Sequence, residues 1–216
     1  MTTVKEILRL LFTSYGHDAQ VPTDDPVGGL VGTILSQHTS DVNSNRAHDE
    51  LLKRFPTWDA VADANPRSIA AAIKCGGLAR MKAPRIRAIL REIRRKHGTV
   101  SLNHIRGMST EEVLRELCAF DGVGIKTAAC VAAFDLGRDV CPVDTHVHRV
   151  TKRLGWVPKN ASAEAAFECL AQILPAGKAV AAHLALIRHG RRICRPTPKC
   201  AECPIRRLCP SVQSEP

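Results

Sequence analysis

The stretch Phe120-Asp121-Gly122-Val123-Gly124-Ile125-Lys126-Thr127-Ala128 constrains this chain most. Ahead of it, Val113 to Phe120 is an apolar run at helical spacing that stops at Asp121. Two glycines one residue apart predict a tight turn, because glycine reaches positive φ without a Cβ clash and lets another backbone come close. Lys126-Thr127-Ala128-Ala129 then opens a second apolar helix. Amide N–H groups at such a turn and helix start point outward without helical partners, which suits a phosphate. A plain helix–helix corner would use the same glycines. The lysine turns the balance toward chemistry, since its amine is a nucleophile that forms Schiff bases with carbonyl-like carbons.

Helical periodicity runs through nearly the whole chain, and no alternating strand pattern stands out. Helices are predicted at Val4 to Tyr15, Val27 to His38, Val42 to Phe55 with Asp41 as its cap, and from Asn65-Pro66 to Gly76-Gly77. Further ones are expected at Lys82 to Lys96, Thr110 to Phe120, Lys126 to Leu136, Thr145 to Leu154, Ser162 to Leu174 and Ala176 to His189. Val27 to His38 is apolar enough to be central, while Gly16 to Pro26 reads as a loop or linker. Arg87, Arg91 and Arg94 are spaced along one side of their helix, usually a solvated face, with phosphate contact the alternative.

Lys plus Arg number 31 against 21 Asp plus Glu, a net charge of +10, so an anionic partner is expected, nucleic acid first. Aromatics at 4% argue against a base-stacking platform for single strands. No apolar run reaches the roughly 18 residues of a membrane span, and the N-terminus lacks a signal-peptide pattern. The expectation is a soluble, cytoplasmic protein. Nine cysteines in that setting are free thiols or metal ligands rather than a disulfide framework. Cys75, Cys118, Cys130, Cys141 and Cys169 are scattered in apolar stretches and read as small buried hydrophobes. Cys194-x5-Cys200-x2-Cys203-x5-Cys209 is different, because a segment that short has no core and needs a metal to hold it. Tetrahedral zinc commonly takes two close pairs, and only one pair is close here.

Leu-Cys-Ala-Phe-Asp-Gly-Val-Gly-Ile-Lys-Thr-Ala at 117–128, Val-Asp-Thr-His-Val-His-Arg-Val at 143–150 and the four spaced cysteines together resemble the endonuclease III family of helix-hairpin-helix DNA glycosylases. The likeness covers roughly residues 25 to 210. Asp121 stands where that family usually has proline, and aspartate also suits a turn. The first cysteine gap is one residue shorter than the family's usual one, with Pro196 and Pro198 inside it.

The resemblance implies an all-α fold in two parts: a six-helix barrel over 22–133, and a discontinuous iron–sulfur domain over 1–21 and 134–216. It implies a [4Fe–4S] cluster on Cys194, Cys200, Cys203 and Cys209. It also implies Lys126 as nucleophile and Asp144 as assisting carboxylate, both facing a cleft between the two parts. Asp144 precedes a helix and can equally be its N-cap, and the two roles are compatible. DNA contacts are implied for Gly122, Val123, Gly124 and Thr127 at the hairpin, and for Gln37 and His38 in Leu35-Ser36-Gln37-His38-Thr39-Ser40-Asp41. His38 aligns with the family's wedge into the duplex, and Leu78 resembles a second intercalating residue. Both also have plain readings, as a helix-end polar residue and a loop hydrophobe. His146, His148, His183 and His189 read as structural. The implied activity is that of a bifunctional glycosylase/AP lyase on damaged pyrimidines, with duplex DNA as partner, no membrane, a nucleoid-associated place in a bacterial cytoplasm and a monomeric state. The rival readings are a silent lesion- or structure-binding paralogue and an iron–sulfur DNA-binding regulator.

Overall fold

The computed structural model describes residues 4–17, 22, 23 and 25–213. Among them every regular element is helical. The chain divides into two compact units, one of Pro22–Arg138 and the other of the N-terminal segment with everything from Asp139 onward. The predicted linker falls partly outside the described residues.

In the Pro22–Arg138 unit, α2 (Pro26–Ser36) is the central helix. Pro26 at its first position and the Asp25 carboxylate, which accepts from Gly28 N–H, start it. Val27, Leu30, Val31, Ile34 and Leu35 are all buried, so it is apolar on every side. Helix α2 packs on α3 (Asp41–Arg54), α6 (Ala79–His97) and α8 (Ile125–Phe134). Ser40, rather than Asp41, caps α3, because Ser40 is the extended residue whose hydroxyl accepts from Asn43 N–H. Asp41 falls in the first turn, where its charge still favours the helix. Helix α4 (Trp58–Asp63), capped by Thr57, was not expected, since six residues are too few to show a period. The next predicted helix breaks into α5 (Pro66–Ala72) and a 3-10 turn, Lys74–Gly76. Arg94 pairs with Asp63 on α4 through two hydrogen bonds, so part of the arginine face is structural.

A 3-10 turn at Asn103–Gly107 leads into α7 (Thr110–Cys118), which opens on a capping box of Ser109 and Glu112. Val113, Leu117 and Phe120 form its buried stripe. Cys118, one residue off that stripe, is exposed, which corrects its reading as a buried hydrophobe. Cys75 and Cys169 are half-buried, and Cys130 and Cys141 are buried. Arg138 belongs with this unit because its guanidinium donates to the carbonyls of Arg106 and Met108.

The other unit packs α1 (Val4–Tyr15), α9 (Thr145–Arg153), α10 (Ala163–Ile173) and α11 (Ala179–Arg192) around Ile7, Leu11, Val147, Val150, Leu170 and Leu186. Helix α11 starts three residues later than predicted, since Asp139 takes the amides of Gly177 and Ala179 and holds 175–178 as a turn. Helices α9 and α11 cross where Gly190 meets His146: a Cβ on Gly190 would sit 2.9 Å from the His146 Cβ. Two 3-10 turns, Cys200–Glu202 and Arg206–Leu208, and α12 (Pro210–Gln213) complete it.

Candidate active site and cysteine centre

Helix α7 ends at Cys118, and Val123 N–H closes the turn onto Phe120 O at 3.0 Å. Gly122 has φ of 74°, and a Cβ there would lie 2.7 Å from Arg85 Nε. The backbone at φ of 74° favours glycine here, and the Arg85 guanidinium crosses close over it. Gly124 is extended rather than left-handed, caps α8 without a side chain, and faces open space. Lys126 follows as the second residue of α8 and is half-buried. Val123 and Thr127 are 5% and 4% exposed, so their side chains fill the hairpin's underside. Thr127 N–H already donates to Gly124 O. Both side chains support the hairpin from beneath. Outward-facing groups are Gly124, the amides opening α8, and Arg85, which the sequence alone did not single out.

Two other loops of the same unit come together. Gln37 is the C-cap of α2, its N–H on Ile34 O. His38 has already left the helix: it is exposed with φ of 55°. Leu78 is 49% exposed with φ of 49° and stands at the N-cap of α6. These are the only two non-glycine residues with positive φ among the described residues. Such a conformation in a residue with a Cβ is a cost the surrounding structure must impose. Lys82 ties together the segments that precede the two residues. It is 4% exposed, and its Nζ donates to Leu35 O at 2.7 Å and Gly76 O at 2.9 Å. The ammonium thus takes a late carbonyl of α2 and the last carbonyl of the 3-10 turn, which sit just before His38 and Leu78. Burial lowers the Lys82 pKa. Val42 and Met81, the other large exposed apolar residues, start α3 and α6 on either side of these loops.

In the other unit, Asp144 is the N-cap of α9, and its Oδ1 accepts from Val147 N–H at 2.7 Å. Helix α9 also carries the arms that hold the cysteine segment. Arg149 donates to the carbonyls of Gly190 and Cys194, and Arg153 donates to those of Arg195 and Pro196 and to Cys194 Sγ at 3.3 Å. His189, 1% exposed, joins Tyr15 Oη at 3.0 Å to Cys203 Sγ at 3.9 Å. Burial pushes its pKa down to about 4, so it is neutral. His183 bonds the Pro142 carbonyl, His148 that of Ala161, and His146 the Arg149 guanidinium. Each of these histidines has a partner that accounts for its position.

Cys194, Cys200, Cys203 and Cys209 all line one cavity of about 270 Å³, walled by Val150, Leu154 and Ile205. That volume equals roughly nine waters at about 30 Å³ each, far more than one ion fills. No three of the sulfurs gather within 4.8 Å of one another. A single tetrahedral zinc would need them about 3.8 Å apart, given Zn–S bonds near 2.3 Å. Burial raises the Cys203 thiol to about 11 and raises Cys209, with the neighbouring thiols adding to both. Thiolates in that cavity need a cationic partner. The donor set and the space both fit a polynuclear metal group.

An outward-facing glycine hairpin that delivers a lysine to a helix start, with a four-cysteine cavity in a second unit, defines the class of the helix-hairpin-helix DNA glycosylases. The chain belongs to the HhH-GPD superfamily of base excision DNA repair proteins, which it matches over residues 31–176, on its endonuclease III side. It is 36% identical to endonuclease III of Thermotoga maritima over 86% of this chain and 83% of that one. It is 32% identical to endonuclease III of Synechocystis over 97% and 92%. A DNA-glycosylase-like protein of Arabidopsis thaliana is 41% identical over 82% of this chain, which spans 64% of that relative's length. A non-covalent endonuclease III–DNA complex superposes with a TM-score of 0.83 at 26% identity, covering 99% of this chain and 98% of that one. A trapped endonuclease III–DNA covalent intermediate gives 0.82 at the same identity and coverage. The all-α fold is that of this family. Among the described residues no helix is long and apolar enough to cross a membrane.

Proposed function

We propose that the chain is a bifunctional DNA glycosylase/AP lyase that removes damaged pyrimidines from duplex DNA. The observation that carries this is Lys126, half-exposed on the first turn of α8 directly after the Gly122–Gly124 hairpin. The hairpin amides and Arg85 take the backbone phosphates, which position the strand without reading its sequence. The target nucleotide must leave the stack, because its sugar carbon cannot be attacked inside the duplex. His38 and Leu78 enter the space it vacates. The Lys126 amine bonds to C1′ as the C1′–N glycosidic bond breaks, and the base departs with the bonding pair and a proton. Asp144 stabilises the positive charge that grows on the sugar. The C1′–O4′ bond of the sugar ring then opens, O4′ taking up the proton released from the lysine nitrogen, to leave an imine; loss of its C2′ proton expels the 3′ phosphate by β-elimination.

Cys194, Cys200, Cys203 and Cys209 would hold a [4Fe–4S] cluster, which when bound supplies the cationic centre the buried thiolates require and ties the C-terminal segment together. The protein would act as a monomer on DNA in the cytoplasm.

Borohydride trapping on abasic DNA tests the reading. Wild type should form a covalent adduct, and Lys126→Ala should form none while still binding damaged duplex. Intact trapping by Lys126→Ala would remove Lys126 as the nucleophile. No adduct from wild type would favour a silent paralogue.

A further inference from the structure

A second group of metal-ligand side chains lies in the Pro22–Arg138 unit, apart from the cysteines. His97 ends α6, His104 sits in the 3-10 turn Asn103–Gly107, and Glu116 lies on α7. The two imidazoles stack with ring centroids 4.0 Å apart and planes 29° from parallel. Each turns its Nε2 toward the same oxygen, Glu116 Oε1, at 3.5 Å from His97 and 3.7 Å from His104. All three ligand atoms lie within 4.8 Å of one another.

These separations are informative because they are long for hydrogen bonds, which run at about 2.7–3.2 Å for N–H···O. They are close to what one shared ion would set. Ligands about 2.0–2.1 Å from a tetrahedral centre stand roughly 3.3–3.4 Å apart. The two stacked rings must turn so that both Nε2 lone pairs converge on one point, and side chains 26–31% exposed have the room to do so. Solvent reaches all three, so an ion can enter and keep water in its remaining position.

We infer that His97, His104 and Glu116 form a binding site for one divalent first-row transition metal, zinc being the probe of choice. Two imidazoles and one carboxylate select zinc, cobalt, nickel or copper over magnesium and calcium, which require all-oxygen shells. The site has no sulfur, so its ion would exchange far more readily than a group held by four buried thiolates. An ion there would join the C-terminus of α6, the turn after it, and α7, the helix that leads into the Gly122–Gly124 hairpin. Its expected role is to stiffen the support of the hairpin, and it does not depend on the lyase chemistry.

The test uses full-length, chelator-washed protein with its iron content measured before and after. Zinc chloride is titrated by calorimetry, and the thermal midpoint is read with and without the metal. One equivalent should bind with iron unchanged, and the midpoint should rise. His104→Ala, at an exposed position, and Glu116→Gln, at a half-buried one, should each weaken binding at least tenfold and remove the rise. Nickel should broaden the imidazole resonances of His97 and His104 before those of other histidines. Absence of saturable binding, wild-type affinity in both variants, or zinc uptake matched by iron loss would overturn the inference.

Discussion

At the scale of single residues, Lys82 shows how a fold can strain two loops at once. Its buried ammonium takes the carbonyls of Leu35 and Gly76, three and two residues ahead of His38 and Leu78, which adopt positive φ. Lys82→Met keeps the volume but leaves both carbonyls unpaired, at about 1–3 kcal/mol each. The expected outcome is a lower thermal midpoint and a selective loss of lesion capture in duplex DNA. That loss should match or exceed the about 1–2 kcal/mol expected of His38→Ala, the scale of one stacking contact. Single-turnover rates on a lesion duplex and on a single-stranded abasic site measure the ratio; equal losses on both would mean Lys82 supports only the fold. Nothing in Met81-Lys82-Ala83 announces this role, because a lone lysine in a basic helix reads as surface. Asp135 was equally silent. It is 5% exposed under α2, and burial raises its pKa to about 6 from 3.8, against the lowering effect of the Thr23 hydroxyl bond. The folded state therefore holds the proton more tightly than the unfolded chain, and stability falls as pH climbs from about 4 through 6. Asp135→Asn should raise the thermal midpoint at pH 7.5 by more than at pH 5. A pH-independent difference would show that the carboxyl titrates normally.

At the scale of elements, α9 carries both the proposed assisting carboxylate and the arms that hold the cysteine segment. Asp144 caps its N-terminus, while Arg149 and Arg153 on its body hold the cysteine segment. Asparagine caps a helix about as well as aspartate. Asp144→Asn should therefore preserve stability and duplex binding while slowing base excision roughly 10²-fold or more, the size of a lost assisting carboxylate. An unchanged single-turnover rate would leave Asp144 a cap and nothing else. The long helices were legible from their period, α1 at both of its ends. What the period hides is where hydrogen bonding stops. Ser40 displaced Asp41 as a cap, α4 was too short to register, and His38 fell beyond the end of α2.

At the scale of the whole molecule, the proposed cluster on the four cysteines would hold together a segment that otherwise has only short turns and α12. Protein purified under mild conditions should be yellow-brown with about four irons per chain. Cys200→Ser should lose that colour, loosen the segment after Ile193 to proteolysis and weaken DNA binding, since Arg191, Arg195, Arg206 and Arg207 lose their scaffold. Colourless protein with zinc in place of iron would contradict it. The spacing of glycine, lysine, aspartate and cysteine along the chain was enough to settle the family, because those residue types serve backbone geometry, nucleophilicity and metal ligation locally. The net charge of +10 pointed to an anionic partner on the same local grounds. Tertiary structure alone decided the rest. Arg85 reaches Gly122 across 37 positions, Lys82 reaches Leu35 across 47, and His97, His104 and Glu116 meet from three separate elements. Contacts of that kind depend on how helices pack, and packing leaves no period in the sequence of any one of them.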